Sequence, residues 1–409
     1  METTRNPVRT RGNRWLTVGV VNITHTFAHL NLGALPVLYP LLREEFAFGY
    51  TGIAVIDMIN QTIRGPVQFS FGLISRFVNR MRVLAIGAAV TFTGMLGFAG
   101  SQNYLHLVVT RTFWGFGATP NDPLGGAITA DGFPRVRARA LAWHLTAGQI
   151  GTLVAPLLVG VMLDSDVSWR SIILILAAPV TLVSLLLFTL TDPAPRGEAG
   201  EGRRQRARAG LAEYKMVLRD RNTMIVAAVM AIGAAGRGLG LLQIYLPTFV
   251  VDRFEVSVPF AATFLAAYTF GGLLGPLTMG WIADSTSPHL VLRVTLLLSA
   301  AFSLLFLAVP TAGITLYAVV FLSGLFMHAR SVLTQSMLIN LAPEDTSTDT
   351  LLSVYAGLQG LTGPVWIFAS GLIVDSFGIA PAFWLMAVSY IGGLALLGLI
   401  KPNPRQQGL

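Results

Sequence analysis

A chain of 409 residues that is 53% hydrophobic and only 12% charged does not suit a water-soluble fold, in which about 25% of residues carry charge. Much of its apolar surface must face lipid. Cysteine is absent, which excludes disulfides, thiolate catalysis and Cys-based zinc or iron–sulfur sites; the net charge of +8 raises nucleic acid as a partner, a question its distribution answers below.

The N-terminus, METTRNPVRTRGNRW, is basic. The apolar run behind it lacks a small-residue cleavage site and continues as a full span. Residues 1–14 therefore read as a cytoplasmic tail leading into a retained helix. Twelve apolar segments follow, at 15–40, 50–74, 82–100, 103–128, 138–163, 168–190, 223–250, 257–283, 290–309, 311–339, 346–373 and 379–400. Most reach or exceed the roughly 20 helical residues that cross hydrocarbon. Residues 191–222, beginning TDPAPRGEAGEGRRQRARAG, hold too much Pro, Gly and Arg for a buried span. They read as a cytoplasmic linker between a six-helix bundle at 15–190 and another at 223–400, with a cytoplasmic tail at 401–409. The expected fold is an all-α polytopic membrane protein of 12 transmembrane helices in two pseudo-symmetric six-helix bundles.

With the N-terminus inside, the inner side carries Arg5, Arg9, Arg11, Arg14, Arg76, Arg80, Arg82, Arg135, Arg137 and Arg139. It also carries the group from Arg196 to Arg221, then Arg293, Lys401 and Arg405, whereas the outer side holds only Arg43, Arg170 and Arg253. This is the positive-inside pattern, and it places both termini in the cytoplasm of an expected bacterial inner membrane. The acidic loop NLAPEDTSTD at 340–349 departs from it. No basic block alternates with stacking aromatics, so the charge marks topology and not a nucleic-acid surface.

The stretch GQIGTLVAPLLVGVMLD, from Gly148 to Asp164, ends in a Gly-x-x-x-Asp step. Related steps end other spans: Gly72 to Arg76, Gly280 to Asp284, and Gly371 to Asp375. Each glycine is expected to admit a neighbouring backbone, as small residues do between membrane helices. Such repetition fits transporters that rock one half against the other around a midplane site.

These residues resemble the major facilitator superfamily over nearly the whole chain. GLISRFVNRMR, from Gly72 to Arg82, is similar to the family's loop between helices 2 and 3, with Arg76 and Asn79 replacing its Asp and second Gly. Gly280, Ile282 and Asp284 keep the motif better. RTFWGFGA resembles the helix 4 motif through Arg111, Gly115 and Gly117. Gly151, Ala155, Pro156, Val159 and Gly160 resemble the antiporter motif of helix 5 with two glycines replaced. HTFAHLNLGALPVLYPLL, with Gln68, is similar in texture to the fosmidomycin-resistance branch. The resemblance implies a transporter and a gating set of Gly72, Arg76, Gly280, Asp284, Asp164 and Asp375, with the latch acid lost at Arg76.

An ionisable side chain inside a span costs a few kcal/mol and usually faces protein or a wet cavity. Asp57 and Arg111 lie equally deep by residue count, and two readings stay open: a static pair, or partners that exchange when a proton binds. His25 and His29 share one face of helix 1, four residues apart, with Asn22 and Thr26 beside them. They suit a proton relay, a substrate contact or a satisfied structural role. No metal is expected, because two His without an assured carboxylate leave the shell incomplete. Arg237, flanked by glycines at the centre of helix 7, wants an acid, carbonyls or an anionic ligand, since arginine keeps its proton. Arg64 shares a polar face with Gln61, Gln68 and Asp57. Arg330 and His328 admit an inner gate or snorkelling to lipid phosphate. Asp122, between Pro120 and Pro123, reads as a gate or as the satisfaction of a broken helix. His144 is a further ionisable residue within helix 5. Tyr245, Tyr268 and Gln359 are the remaining cavity candidates.

No nucleophile–base or metal constellation has suitable spacing, so neither an enzyme nor a cofactor is expected. The first reading is a secondary transporter moving a small organic anion by proton-coupled alternating access. Arg237, Arg64, His25, His29, Gln61, Tyr245, Tyr268 and Gln359 would contact substrate; Asp57, Arg111, His25 and Asp122 would couple the proton. The alternatives are a proton-coupled multidrug efflux antiporter using Asp57, and a lipid or lysolipid transporter. The expected partners are the small molecule, protons and membrane lipid, with the chain acting as a monomer.

Overall fold

The computed structural model describes residues 14–74, 79–133, 136–192, 215–232, 241–341 and 348–400. These residues are mostly helical, with no strand among them. The helices are α1 (Arg14–Phe46), α2 (Tyr50–Ile74), α3 (Arg80–Ala99), α4 (Tyr104–Ala118), α5 (Gly126–Gly132), α6 (Arg137–Asp164) and α7 (Trp169–Thr189). They continue as α8 (Arg221–Ile232), α9 (Leu241–Phe254), α10 (Val258–Ser285), α11 (Pro288–Ala308), α12 (Ile314–Leu341), α13 (Thr348–Phe377) and α14 (Ile379–Leu397). A π-helical turn, Asn121–Gly125, joins α4 to α5. Most predicted spans fall on these elements within a few residues; α1 runs to Phe46, beyond the predicted 40, and the span predicted at 223–250 lies partly outside the described residues. Among the described residues, eight helices are long and apolar enough to cross a membrane, with 33–56% of each apolar window buried. The remaining apolar side chains, such as Leu182, Leu277 and Trp281, point outward, as lipid-facing positions require.

By its internal contacts the chain divides into two units, Met1–Leu35 with Ile63–Glu198, and Pro36–Thr62 with Ala199–Leu409. One division falls between Glu198 and Ala199, within the stretch 191–222, and two more fall inside α1 and α2, which group Pro36–Thr62 with the second unit.

In the first unit α3 packs between α4 and α7. Val21, Met81, Leu84, Leu124, Ile128 and Leu187 form a buried apolar cluster nearby. Arg80 begins α3, where a cation opposes the helix dipole and needs acids beside it. It has them: Nε and Nη2 donate to the two Asp192 oxygens at 2.6 and 2.7 Å, and Nη1 donates to Asp131 at 2.9 Å. Arg80 is thus a clamp between helix ends as well as a topology marker.

In the second unit α10 and α12 meet through small residues. A Cβ on Gly271 or Gly275 would enter the backbone of Phe321 or Leu325, and one on Gly324 would enter that of Tyr268. Replacing Gly271 by Val is expected to cost about 2–3 kcal/mol through overpacking against rigid backbone. Thermal unfolding of the purified protein in detergent checks this; an unchanged midpoint would show that the helices separate freely.

The repeated helix ends do not behave alike. A Cβ built on Gly371 would meet Tyr50, Thr51 and Ala54 at 2.9–3.0 Å, as expected, but among the described residues nothing lies within 4 Å of one built on Gly280. The expectation of close packing is therefore corrected at Gly280, which no described neighbour approaches. Asp164 and Asp284 are exposed. Asp375 instead caps a helix, accepting from the backbone N–H groups of Tyr50 at 2.8 Å and Thr51 at 2.7 Å. A negative charge there complements the N-terminal dipole of α2. Gly49 permits this: a Cβ would fall 2.6 Å from the Asp375 oxygens. Beside it, Asp252 accepts from Arg43 Nη1 and from the Tyr50 hydroxyl, each at 2.7 Å.

Candidate functional site

The first unit gathers three histidines, one aspartate and one arginine from four helical segments. His25 and His29 project from one face of α1, and their rings meet edge to face at 4.5 Å. His144, from α6, stacks on His25 at 3.9 Å with an interplanar angle of 21°. The stack needs room that only glycine leaves, since a Cβ on Gly148 would sit 2.6 Å from His25 Nε2 and 3.1 Å from His29 Cδ2. His144 Nδ1 shares a 2.8 Å hydrogen bond with Asn22 Oδ1, and Thr129 also donates to that oxygen, at 3.4 Å. His29 Nδ1 bonds the Thr152 hydroxyl at 3.2 Å, which leaves its Nε2 turned to the centre.

Asp122 occupies that centre. Pro123 has no N–H to give the helix, and the chain widens into the π turn that carries Asp122. One carboxylate oxygen lies 3.7 Å from His25 Nδ1 and 3.5 Å from His29 Nε2. The other accepts from Arg64 Nη2 at 2.6 Å. The Asp122 side chain is 39% exposed and His25 is 2% exposed, so the carboxylate joins an open space to a buried ring. One acid is thereby shared between a permanent cation and two bases whose charge depends on protonation.

The ligand-capable atoms of His25, His29 and Asp122 lie within 4.8 Å of one another, so the carboxylate that the sequence left unassured is present. Arg64 already engages its second oxygen, however, which makes the group an ion-pair network around a shared acid.

Other predicted residues fall elsewhere. Arg237 and Arg76 lie outside the described residues, as do the surroundings of Gly72 and the side chain of Gln359. Asp57 accepts from the buried Tyr39 hydroxyl at 2.7 Å, and Arg111 lies over the Trp114 ring at 4.9 Å. Gln61 contacts the position of Gly363. Tyr245 is fully buried, its hydroxyl donating to the Ile367 carbonyl at 3.1 Å, so it packs between helices and is not exposed to a cavity. Tyr268 is likewise fully buried, with the His328 ring against its edge at 5.1 Å. Arg330 is 1% exposed, which excludes snorkelling to lipid phosphate. Sequence reasoning gave His144 no role and missed Asp252, Asp131 and Asp192. Gly148, one turn beyond His144 and opposite two histidines, is the signal for the first; the three acids at helix ends carry none.

A profile described as Major Facilitator Superfamily matches residues 21–266 and 235–408, and the chain belongs to that family. It is similar to an uncharacterized MFS-type transporter, YfnC, of Bacillus subtilis, at 20% identity over 95% of this chain and 93% of the other. It is also similar to the 4-hydroxybenzoate transporter PcaK of Pseudomonas aeruginosa, at 25% identity over 90% and 83%. Among solved structures its fold matches a mutant form of the nucleoside transporter NupG with a TM-score of 0.77 at 14% identity, covering 94% of this chain and 100% of that one. It matches a D-xylose-proton symporter with a TM-score of 0.73 at 16% identity, over 94% and 97%. The protein is an integral membrane protein of the major facilitator fold and a secondary transporter, not an enzyme.

Proposed function

We propose that this transporter moves a small organic anion and couples the movement to protons by alternating access. The observation that carries this reading is the sharing of Asp122 between Arg64, His25 and His29. When a proton enters the cluster, the hold of Asp122 on Arg64 weakens, and Arg64 gains the freedom to engage an anion. When the proton leaves, Asp122 reclaims the guanidinium. Substrate and proton thus bias one two-state equilibrium through a common pair of side chains. Arg237 belongs to the same reading as a second cation for the substrate, and Asp57 as a second acid. The similarity to a 4-hydroxybenzoate transporter supports an anionic substrate, and the likeness to a proton symporter supports protons. Both termini are taken as cytoplasmic, in a bacterial inner membrane, with the single chain as the working unit.

Internal pH in sealed proteoliposomes tests the reading without an imposed membrane potential. A saturable pH change on adding a small carboxylate is expected, with none on adding lipophilic cations or lysolipids. A response to cations alone would replace anion transport with drug antiport, and silence with carboxylates and phosphonates would end the anion reading.

A further inference from the structure

The second unit buries a permanent cation whose charge is only partly met. Arg330, in α12, is 1% exposed. Its Nη1 donates to the Met230 carbonyl at 3.0 Å, whereas its Nε and Nη2 have no acceptor. Among the described residues no carboxylate lies within ion-pair distance of it. A guanidinium keeps its proton at any physiological pH, so burial cannot neutralise it. An isolated buried charge costs several kcal/mol until a counter-charge arrives.

The free donors describe what that counter-charge looks like. Nε–H and Nη2–H lie along one edge of the guanidinium and point in parallel, the arrangement that grips both oxygens of one anionic head. Nη1 bonds Met230 from outside that edge. The Tyr390 hydroxyl, in α14, is also fully buried and without a partner. α14 packs on α8, the helix that carries the carbonyl held by Arg330. The backbone agrees, since the Val229 carbonyl, one residue before Met230, lies 3.6 Å from a Cβ built on Gly393, one turn after Tyr390. The Trp366 indole donates to the Ala231 carbonyl at 2.7 Å, next to the carbonyl that Arg330 holds. Trp366 and His328 are both partly exposed, His328 two residues before Arg330 in α12 and Trp366 on the neighbouring carbonyl.

A tie between helices explains part of this. Arg330 and Trp366 donate to the consecutive carbonyls of Met230 and Ala231, holding α12 and α13 to α8. That tie uses one guanidinium nitrogen and leaves the paired edge and the Tyr390 hydroxyl unexplained.

We propose that Arg330 and Tyr390 form a carboxylate-binding site, in which the guanidinium edge holds both oxygens of a monocarboxylic acid and the acid's aromatic or apolar body lies against Tyr268, His328 and Trp366. This rests on the organic-anion reading and names the residues that hold the anionic head.

The test uses the full-length protein in detergent, titrated with benzoate, cyclohexanecarboxylate and phenylphosphonate, with benzamide as the neutral control. Tryptophan fluorescence and thermal stabilisation report binding. Benzoate is expected to bind saturably and benzamide not at all. Arg330→Lys keeps the charge but loses the paired edge, and its benzoate affinity is expected to fall on the order of 10–100-fold. Tyr390→Phe is expected to lose about 5-fold. A residue that only ties the helices together would change the unfolding midpoint of Arg330→Lys without altering any ligand-dependent shift. Equal binding of benzamide, or unchanged benzoate affinity in Arg330→Lys, overturns the site. If that variant transports benzoate in proteoliposomes with unchanged half-saturation, anion transport stands and the site alone is wrong. If the wild type binds none of the three anions, both proposals fall.

Discussion

Replacing Asp122 by Asn is expected to abolish uptake driven by a pH gradient while leaving substrate exchange within about 10-fold of wild type. Asn keeps the shape of the side chain and some of its hydrogen bonds, but it removes the only charge that Arg64, His25 and His29 are seen to share. Removing one member of a buried ion pair costs about 3–5 kcal/mol, because the partner is left charged. Arg64 is 21% exposed and Asp122 39%, so solvent screening brings the figure toward the lower end or below it. Exchange does not require net proton movement, and it separates lost coupling from lost folding. Asp122→Glu serves as the conservative control and is expected to recover part of the coupling. Concentrative uptake by Asp122→Asn with the wild-type pH profile would remove the cluster from the mechanism.

The largest effect on stability is expected at Arg80. Arg80→Gln would remove three charge-assisted hydrogen bonds and leave Asp131 and Asp192 without the cation between them. The side chains are 12%, 27% and 23% exposed respectively, so water replaces little of what is lost. A loss of about 3 kcal/mol is expected, seen as a lower unfolding midpoint and reduced yield. Adding Asp131→Asn and Asp192→Asn to Arg80→Gln should recover much of it, because the neutral residues no longer repel. A triple variant as unstable as Arg80→Gln would mean that the guanidinium acts through packing and not through charge.

The spans were legible because each is a long apolar run with polar or Gly/Pro-rich interruptions, and length alone separates such runs from core helices. The resemblance at Arg111, Gly115 and Gly117 and at the repeated helix ends carried the fold further. Asp122 shows where this kind of reading stops. Regular helical counting assigns a face every 3.6 residues, but the π turn at Asn121–Gly125 breaks that count just where the acid sits. Its approach to His25 was therefore hidden, although both residues had been singled out. Gly280 failed for another reason: a glycine at a helix end permits contact without requiring it, and here no described residue approaches. For the arginines, position within the span was a poor guide. Arg330 reads as an inner-half residue that either lines a gate or snorkels to lipid phosphate, yet neighbouring helices enclose it almost completely. Asp252 gave no signal, because an acid at a helix end is ordinary until Arg43 and Tyr50 are found on it.

The ring stack in the first unit also bears on stoichiometry. His25 and His144 lie 3.9 Å apart, and His25 and His29 lie 4.5 Å apart. Two positive rings at about 4 Å repel by about 4 kcal/mol at the effective dielectric of a protein near its surface. On the proton-coupled reading proposed above, a proton on His25 would set its ring neighbours against a second one, so the three imidazoles would act as a single carrier and one proton would pass through the cluster per cycle.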